Sequence, residues 1–226
     1  MHLALLVSTV DDRGGQWKST AVALRDAPTS STIVADVQYN ARGQRTLIVH
    51  GNGVTTTSTY DPHTFRLTRQ HAVRDPAGAA VSVQDLRYTY DAAGSVVRLQ
   101  DLAQQTVYFD NAVVDATSTY IHDDLGRLVE SSGREHAQAA GPAAWGEPHA
   151  RASLPNPGPG ALHAYTESYT YDAAGNLLEH VHSVAANTAA SRTRTYTYDT
   201  GSHRMATAQF EGDTTARTVA TTPAAA

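Results

Sequence analysis

The sequence predicts an all-β fold built as an array of β-hairpins, and three observations support this prediction. A tyrosine-rich motif followed by an acidic or amide residue and then a glycine recurs in six degenerate copies within 226 residues. The residue before the acidic or amide position falls at 39, 60, 90, 122, 171 and 198, so the steps are 21, 30, 32, 49 and 27 residues. Apart from the 49, these steps suit one small supersecondary unit that buries its face on its neighbour. Thr, Val and Tyr are also plentiful, which favours strands over helices.

The two fullest copies, Tyr169–Leu178 and Tyr88–Val97, match almost letter for letter. Weaker copies occupy residues 120–128 and 196–205, and partial copies occupy 39–43 and 60–67. The predicted structural repeat motif consists of Tyr39, Gly43, Tyr60, Asp61, Tyr88, Tyr90, Asp91, Gly94, Tyr120, Asp123, Gly126, Tyr169, Tyr171, Asp172, Gly175, Tyr196, Tyr198 and Asp199.

One copy is expected to form a strand, a turn and a second strand. The two rings of Tyr-x-Tyr point to the same face of a strand. The Asp that follows accepts a hydrogen bond from a backbone N–H two residues on, and the Gly supplies the positive φ that closes a type I turn with a bulge. Because a lone hairpin is marginal in water, the aromatic faces must pack on the next unit. We therefore expect the tyrosines to be packing residues and not a binding or catalytic row.

The chain divides into five predicted segments: partial N-terminal strands (1–35), repeats (36–135), a Pro/Gly/Ala-rich surface loop (136–164), repeats (165–211) and a disordered tail (212–226). Within the first repeats, Asn52-Gly53 predicts a type I′ hairpin. A strand is predicted from Phe65 to Arg74, and a hairpin with its turn near Asp110-Asn111. Five of nine prolines lie in the predicted loop, where we expect His136, His149 and His163 to be solvated.

Bulk composition excludes several function classes. The formal net charge is −5 and the basic residues form no stripe, which argues against nucleic-acid binding. There is no cysteine, so neither disulfides nor thiolate chemistry are available. No apolar run reaches the ~20 residues of a membrane span. The apolar start is too short for a signal peptide and lacks a basic flank.

The sequence offers few candidate catalytic or metal-binding residues, and we expect no enzymatic activity, no cofactor and no metal site. His180 and His182 would lie on one strand face, either as a metal-ligand pair or, as we favour, as part of a polar outer face. Asp123 and Asp124 with Glu130 form the densest acidic group, but by register Asp123 is a turn acceptor. The sequence contains no Gly-x-Ser-x-Gly elbow, and Gly51-Asn52-Gly53 lacks the third glycine and the helix of a nucleotide loop.

With these copies in view, the chain resembles the YD-repeat proteins, also called the RHS family, over about residues 30–210. Stretches 39–45, 51–62 and 133–136 are similar to the B and C components of bacterial insecticidal toxin complexes. The resemblance implies a YD/RHS-repeat β-hairpin array that forms part of a spiralling β-sheet shell. In that family the shell encloses a C-terminal toxin, held unfolded until it is delivered through a partner translocation pore.

The sequence departs from the family because no Arg-Tyr-Tyr-Asp-Pro-like core and no toxin domain follow Met205. The resemblance then implies a non-catalytic section of shell wall, secreted as part of a toxin complex. Its partners would be the rest of the shell and a translocation component. The alternative is an adhesion module that binds a carbohydrate or a cell surface through exposed Tyr and His.

Overall fold

The computed structural model describes residues 5–11, 17–24, 31–75, 78–137, 160–210 and 217–218. These residues form strands joined by short turns, with one turn of 3-10 helix at Thr188–Ala190. The chain comprises two compact units, residues 1–89 with 99–104 and residues 90–98 with 105–226. The all-β prediction is confirmed in both.

Strands of the first unit follow the chain in the order β1 (Leu5–Asp11), β2 (Trp17–Leu24), β3 (Ser31–Tyr39), β4 (Arg45–His50), β5 (Val54–Tyr60), β6 (Leu67–Arg74) and β7 (Val81–Tyr90). Strand β8 (Val96–Asp101) follows β7 in the chain. The second unit contains β9 (Val107–Phe109), β10 (Ala112–Val114), β11 (Thr117–His122), β12 (Leu128–His136), β13 (Leu162–Tyr171), β14 (Leu177–Ser183), β15 (Arg192–Tyr198), β16 (Met205–Phe210) and β17 (Arg217–Thr218).

Pairing is antiparallel and almost entirely between neighbours in the chain. In the first unit each strand from β1 to β6 pairs with the strand that follows it. In the second unit the same holds from β11 to β17, while β9 and β10 form a separate hairpin. Each unit is therefore a meander in which every hairpin shares strand edges with the next.

Burial alternates along the strands, and one face is the more buried. In β13 the residues His163, Tyr165, Glu167, Tyr169 and Tyr171 are buried or half-buried, whereas the residues between them are exposed. The two tyrosines of this repeat copy thus point to the same, more buried face. Few side chains are fully buried, because most of the described strands of each unit belong to one meandering sheet, and in the second unit only the β9–β10 hairpin adds contacts on β13.

The predicted type I′ turn at Asn52-Gly53 is wrong in type, although a hairpin does form there. Gly53 has φ 82°, but Asn52 does not have positive φ, which a type I′ turn requires. The Asn52 side chain instead accepts a hydrogen bond from the Val54 N–H at 3.1 Å. The two consecutive positive φ values occur at Asp110 (49°) and Asn111 (58°), in the predicted β9–β10 turn.

Two further expectations are corrected. The strand expected from Phe65 begins at Leu67, because Phe65 takes φ 60° and closes the turn. The predicted loop is shorter than 136–164 at both ends, since Glu135 pairs with His163 and His136 with Leu162. Residues 138–159, which include His149, lie outside the described residues, as does the predicted tail apart from Arg217–Thr218.

His163 was expected to be solvated, and this is wrong. Its register in β13 turns the ring inward, so that His163 is only 5% exposed. The ring lies against Phe109, with centroids 5.1 Å apart. The sequence misled because the paired strands extend into a stretch whose composition is typical of a loop.

Candidate functional site

The repeat motifs form six tight turns, called corners here: residues 40–44 and 61–66 in the first unit, and residues 91–95, 123–127, 172–176 and 199–204 in the second. Each corner is closed by a hydrogen bond from the N–H of its first residue to the carbonyl of its last, at 2.8–3.0 Å. In five corners a register shift falls just before the turn. The five motif glycines, each with φ between 76° and 104°, supply the left-handed residue.

The first side chain of a corner holds the turn together. Asp172 Oδ1 accepts the N–H groups of Ala174 and Asn176 at 2.9 and 2.8 Å. The Asn176 side chain donates to Asp172 Oδ2 at 2.7 Å. These bonds, led by that of the Asn176 side chain, lower the pKa of Asp172, because they favour the charged carboxylate.

The same arrangement recurs at other corners. The carboxylates of Asp61, Asp91 and Asp123 each accept two backbone N–H groups at 2.6–3.0 Å. Backbone hydrogen bonding is the leading cause that lowers the pKa of each of the three. The amide oxygen of Asn40 accepts equivalent bonds from Arg42 and Gln44.

Asp199 is the exception among the corners. Its glycine comes two residues later and not three, so the N–H that donates to the Asp199 carbonyl belongs to Ser202, at 3.1 Å, and not to a glycine. Within the described residues its carboxylate has only an ion-pair contact, 3.6 Å from Arg204 Nε. This carboxylate is half exposed and is not used to hold the turn.

Tyrosine hydroxyls tie successive hairpins together. Tyr60 donates to the carbonyl of Arg45 at 2.8 Å in the first unit. In the second unit, Tyr171 donates to the carbonyl of Leu128 at 2.8 Å and Tyr198 to that of Leu177 at 2.9 Å. Each acceptor is the first residue of the strand that leaves the preceding corner.

Sequence reasoning treated these tyrosines as packing residues and missed the hydrogen bond. A signal was present: the residue before the corner is Tyr in five of six copies and never Phe. Ring packing alone would tolerate Phe, so the repeated choice of Tyr indicates that the hydroxyl has a partner.

Side chains also reach forward from one corner to the next. Gln44 donates to the carbonyl of Phe65 at 2.8 Å. Arg127 donates to the carbonyl of Asp172 at 3.2 Å, and Asn176 Oδ1 lies 2.7 Å from His203 Nδ1. Three pairs of successive corners, one in the first unit and two in the second, are therefore bonded in both directions, once through the tyrosine and once through the residue after the glycine.

Cation–π contacts add to these links within each unit. The guanidinium of Arg42 lies 3.3 Å from the centroid of the Phe65 ring. The guanidinium of Arg127 lies 4.9 Å from that of Tyr171. Each contact joins residues of two successive repeat copies.

A buried polar cluster, the Glu167 cluster, lies on the more buried face of β12, β13 and β14 in the second unit. Glu167 Oε2 accepts hydrogen bonds from the Tyr169 hydroxyl at 2.7 Å and from Ser131 at 3.2 Å. Glu167 Oε1 lies 3.3 Å from His180 Nε2 and 3.2 Å from His182 Nδ1. The other ring nitrogen of His182 lies 2.9 Å from Glu135 Oε1.

The cluster shifts the protonation of its members. The contact with His180, followed by the hydrogen bonds from Tyr169 and His182, holds the pKa of Glu167 well below its usual range. Burial, with the hydrogen bond to Glu167, raises the pKa of Tyr169 to about 12. Glu167 is thus a carboxylate and Tyr169 a neutral donor near neutral pH.

The expectation that His180 and His182 form a polar outer face is wrong. They do share a face, but it is the buried one: His182 is 1% exposed, and His180 stacks on Tyr169 with centroids 4.8 Å apart. Across the described ranges, no three His, Asp or Glu side chains are grouped so that they could hold a metal ion.

The first unit has an ion pair between the half-buried Arg69 and the buried Asp85, which sequence reasoning missed. Asp85 is 8% exposed and receives Arg69 Nε and Nη2 at 2.6 and 2.8 Å. The Arg69 guanidinium lowers the pKa of this carboxyl group. No signal in the sequence marks the pair, because the residues are 16 positions apart on neighbouring strands.

Comparison with known proteins places the chain among toxin-complex subunits, although no family model matches it. It is 39% identical over 181 residues to toxin subunit YenC1 of Yersinia entomophaga and 36% identical over 179 residues to toxin subunit YenC2. Each alignment covers 77% of this chain and 18% of the relative. The chain belongs to the RHS/YD-repeat proteins of bacterial toxin complexes.

Solved structures agree with this assignment. The RHS/YD-repeat chain matches the crystal structure of TcdB2-TccC3 without its hypervariable C-terminal region with a TM-score of 0.68 and 29% identity. It matches the Tc holotoxin pore of Photorhabdus luminescens with a TM-score of 0.68 and 30% identity. Each match covers 91% of this chain and 9% of the matched chain.

The remaining predicted motif residues of the RHS/YD-repeat chain lie in strands that lead into the corners. Tyr39 is opposite Arg45, Tyr120 opposite Ser131 and Tyr196 opposite Ala208. The strand β7 ends with Tyr88 and Tyr90.

The acidic group weighed for acid–base chemistry does not form a catalytic pair. Asp123 is engaged in its corner and receives Arg127 Nε at 2.7 Å. Glu130 lies on the exposed face of β12, opposite Ile121. The structure describes no helix that is both long and apolar enough to cross a membrane.

Proposed function

We propose that this chain is a non-catalytic section of the wall of an RHS/YD-repeat shell that encapsulates a C-terminal toxin in a bacterial toxin complex. The supporting observation is that successive corners are joined by two hydrogen bonds. Between the corners at 123–127 and 172–176, one comes from the Tyr171 hydroxyl and the other from the Arg127 guanidinium. A wall must join many hairpins into one sheet without gaps, and these bonds recur in both units.

The carboxylates of Asp61, Asp91, Asp123, Asp172 and Glu167 have structural partners, which supports a role without chemistry. The Asp172 carboxylate holds its turn, and Glu167 is satisfied by Tyr169, Ser131 and the histidines. The chain spans about a fifth of the Yersinia subunits that it matches. The proposal therefore includes three partners: the rest of the shell, a toxin cargo and a translocation component. It also includes secretion of the chain as part of the complex.

A chimera tests the proposal. This chain replaces the matching 181-residue segment of YenC1, and protease resistance of the C-terminal region is measured in the assembled subunit. We expect resistance equal to that of unmodified YenC1, because the wall is continuous. A matched chimera with Val181→Pro should lose resistance, since β14 pairs on both sides at that residue and proline cannot donate there. A soluble chimera whose C-terminal region is cut as fast as unprotected polypeptide would refute the proposal.

A second candidate is carbohydrate binding, and one groove favours it. A groove of about 570 Å³ lies between the last two corners and is lined by Tyr196, Tyr198, Asn176, His203 and Asp199, among others, and the Asp199 carboxylate has a contact with Arg204 but no hydrogen bond in its corner. Aromatic rings beside carboxylate and amide groups suit a sugar ring and its hydroxyls.

Glycan-array binding by the purified chain tests this candidate. We expect that Asp199→Ala removes the signal, while Glu130→Ala, on the exposed face of β12, keeps it. A blank array for the unmodified chain would eliminate carbohydrate binding.

A further inference from the structure

Asn52 lies in the exposed turn between β4 and β5 of the first unit, and a glycine follows it. Its side-chain oxygen accepts the Val54 N–H at 3.1 Å, so the carboxamide lies beside the peptide group that links Asn52 to Gly53. The described hydrogen bonds include none from its amide nitrogen. Asn52 thus combines solvent access, an unhindered neighbour and an amide group that no donor bond holds in place.

The other described asparagines lack this combination. Asn40 and Asn176 each donate from the amide nitrogen to a side chain of their own corner. Asn111 and Asn187 are followed by Ala and Thr, whose side chains hinder the approach of the backbone nitrogen to the carboxamide. Among the described asparagines, only Asn52 precedes a glycine.

These features suit an intramolecular reaction that needs no enzyme and no redox partner. The backbone nitrogen of Gly53 attacks Cγ of Asn52, a C–N bond forms, and the bond from Cγ to Nδ2 breaks. Ammonia leaves and takes up the proton that the Gly53 nitrogen has lost. Solvent water then adds to one of the two carbonyls of the resulting succinimide ring and opens it, which gives either aspartate or isoaspartate.

We propose that Asn52 deamidates spontaneously in the folded chain and that the isoaspartate product weakens the attachment of this turn to β3. Asparagine is a thermolabile residue, and the absent side chain of Gly53 leaves the attacking nitrogen accessible. The inference concerns the first unit and does not depend on the shell proposal.

One interaction opposes the reaction. The Gly53 N–H donates to the carbonyl of His50 at 3.1 Å, and this bond must open before the nitrogen can attack. Residues 51–53 are all exposed, however, and opening an exposed turn costs far less than separating paired strands. Glycine also lets the backbone rotate during ring closure, since its φ of 82° carries no side-chain strain.

Isoaspartate changes the turn because the main chain then runs through the former side chain and gains one carbon atom. The neighbouring Gly51 is tightly placed: its N–H donates to the Ile33 carbonyl at 2.8 Å, and an added Cβ would lie 1.7 Å from the Thr32 carbonyl oxygen. A longer main chain beside Gly51 must disturb this contact. The aspartate product keeps the original main chain, and its carboxylate can still accept the Val54 N–H.

Peptide mapping of the aged full chain tests the reaction. Trypsin releases residues 46–66, in which Asn52 is the only asparagine, so a gain of one mass unit in this fragment reports its conversion. During incubation at pH 8 we expect Asn52 to convert several times faster than Asn40, the internal control, and Asn52→Gln to abolish the gain. An Asn52 that stays intact in the folded chain, while a synthetic peptide of residues 46–58 deamidates, would overturn the proposal.

Hydrogen exchange tests the consequence. The isoaspartate form is separated by chromatography, identified by enzymatic methylation of isoaspartate, and compared with Asn52→Asp. We expect faster amide exchange in β3 and β4 of the isoaspartate form, whereas Asn52→Asp should match the unmodified chain. Equal exchange in the isoaspartate form and in Asn52→Asp would refute the weakened attachment to β3. Because peptide mapping uses the unmodified chain, it remains decisive if a variant fails to fold.

Discussion

At the scale of single residues, Gly133 shows how closely the side chains of the second unit cover one another. It lies in β12 directly opposite Tyr165 on β13, and it has no positive φ. A Cβ built on Gly133 would lie 2.6 Å from the Tyr165 hydroxyl oxygen and 2.8 Å from Cζ. The glycine is therefore needed for space under the aromatic ring and not for backbone freedom.

Gly133→Ala should destabilise the chain by about 1–3 kcal/mol, the usual cost of overpacking, because the Tyr165 ring must move and it also covers His182. The urea dependence of the near-ultraviolet circular dichroism measures this. Gly160→Ala is the matched control, since nothing lies within 4 Å of its added Cβ, and it should be close to neutral. Equal losses of stability in the two variants would show that contact with the Tyr165 ring is not the cause of the loss in Gly133→Ala.

Glu167 gives a prediction for acid solution. Its hydrogen-bond donors hold the pKa below the ordinary 4.5, so the folded chain binds protons less readily than the unfolded chain. A lowered pKa in the folded state contributes stability that is present above about pH 4.5 and lost as the pH falls toward the folded-state value. We expect the urea midpoint to fall between pH 5 and pH 3, and to fall less steeply in Glu167→Gln. Parallel pH profiles would contradict this, and Glu130→Gln, at an exposed position, serves as the control.

At the scale of the element, the hairpin was the part that sequence predicts best. Asp, Gly and the paired tyrosines specify a local turn, so most corners follow from a window of about ten residues. The failures are also local. Asn52 uses its side chain to bond Val54, which changes the turn type, and Phe65 takes the left-handed conformation that a motif would give to glycine.

What the sequence could not show is which strands face one another beyond the turn. The Glu167 cluster depends on the register of β12, β13 and β14, and its contacting pair Glu135 and His182 is separated by 47 residues. His163 was predicted to be a loop residue and Glu135 the last residue of the first repeats, because a Pro/Gly/Ala-rich stretch lies between them. Register is set by the whole sheet face, so a single-strand pattern does not predict buried polar partners.

The corner carboxylates offer a comparison between two elements of the same kind. Asp172→Ala removes an acceptor of two backbone N–H groups and of the Asn176 side chain, so we expect a clear loss in the free energy of unfolding, larger than that of Asp199→Ala. Asp199→Ala removes no hydrogen bond of its corner and should cost less than about 0.5 kcal/mol. Chemical denaturation of the two variants tests this pair. A larger loss for Asp199→Ala would show that the carboxylate has a structural partner beyond Arg204.

At the scale of the whole molecule, each unit is a series of hairpins in which a strand pairs with the next strand in the chain. Such an array has mainly nearest-neighbour terms, so its stability is close to a sum over repeats and their interfaces. This is the property that lets a wall lengthen by adding units, and it follows from the pairing and the corner links together. The hydrogen bond from the tyrosine hydroxyl contributes to one such interface, and replacing Tyr by Phe removes it by deleting a single oxygen atom.

Tyr198→Phe tests whether the second unit behaves as such an array. The substitution deletes the 2.9 Å bond to the Leu177 carbonyl and should cost about 0.5–1.5 kcal/mol. Amide hydrogen exchange should rise in β14, β15 and β16, which flank the broken link, and stay unchanged in β11 and β12, which are two hairpins away. Tyr196→Phe keeps the ring and breaks no described hydrogen bond, so its exchange pattern should match that of the unmodified chain. A uniform rise from β11 to β16 would mean that the second unit opens as one cooperative block, and the nearest-neighbour description of this unit would then be wrong.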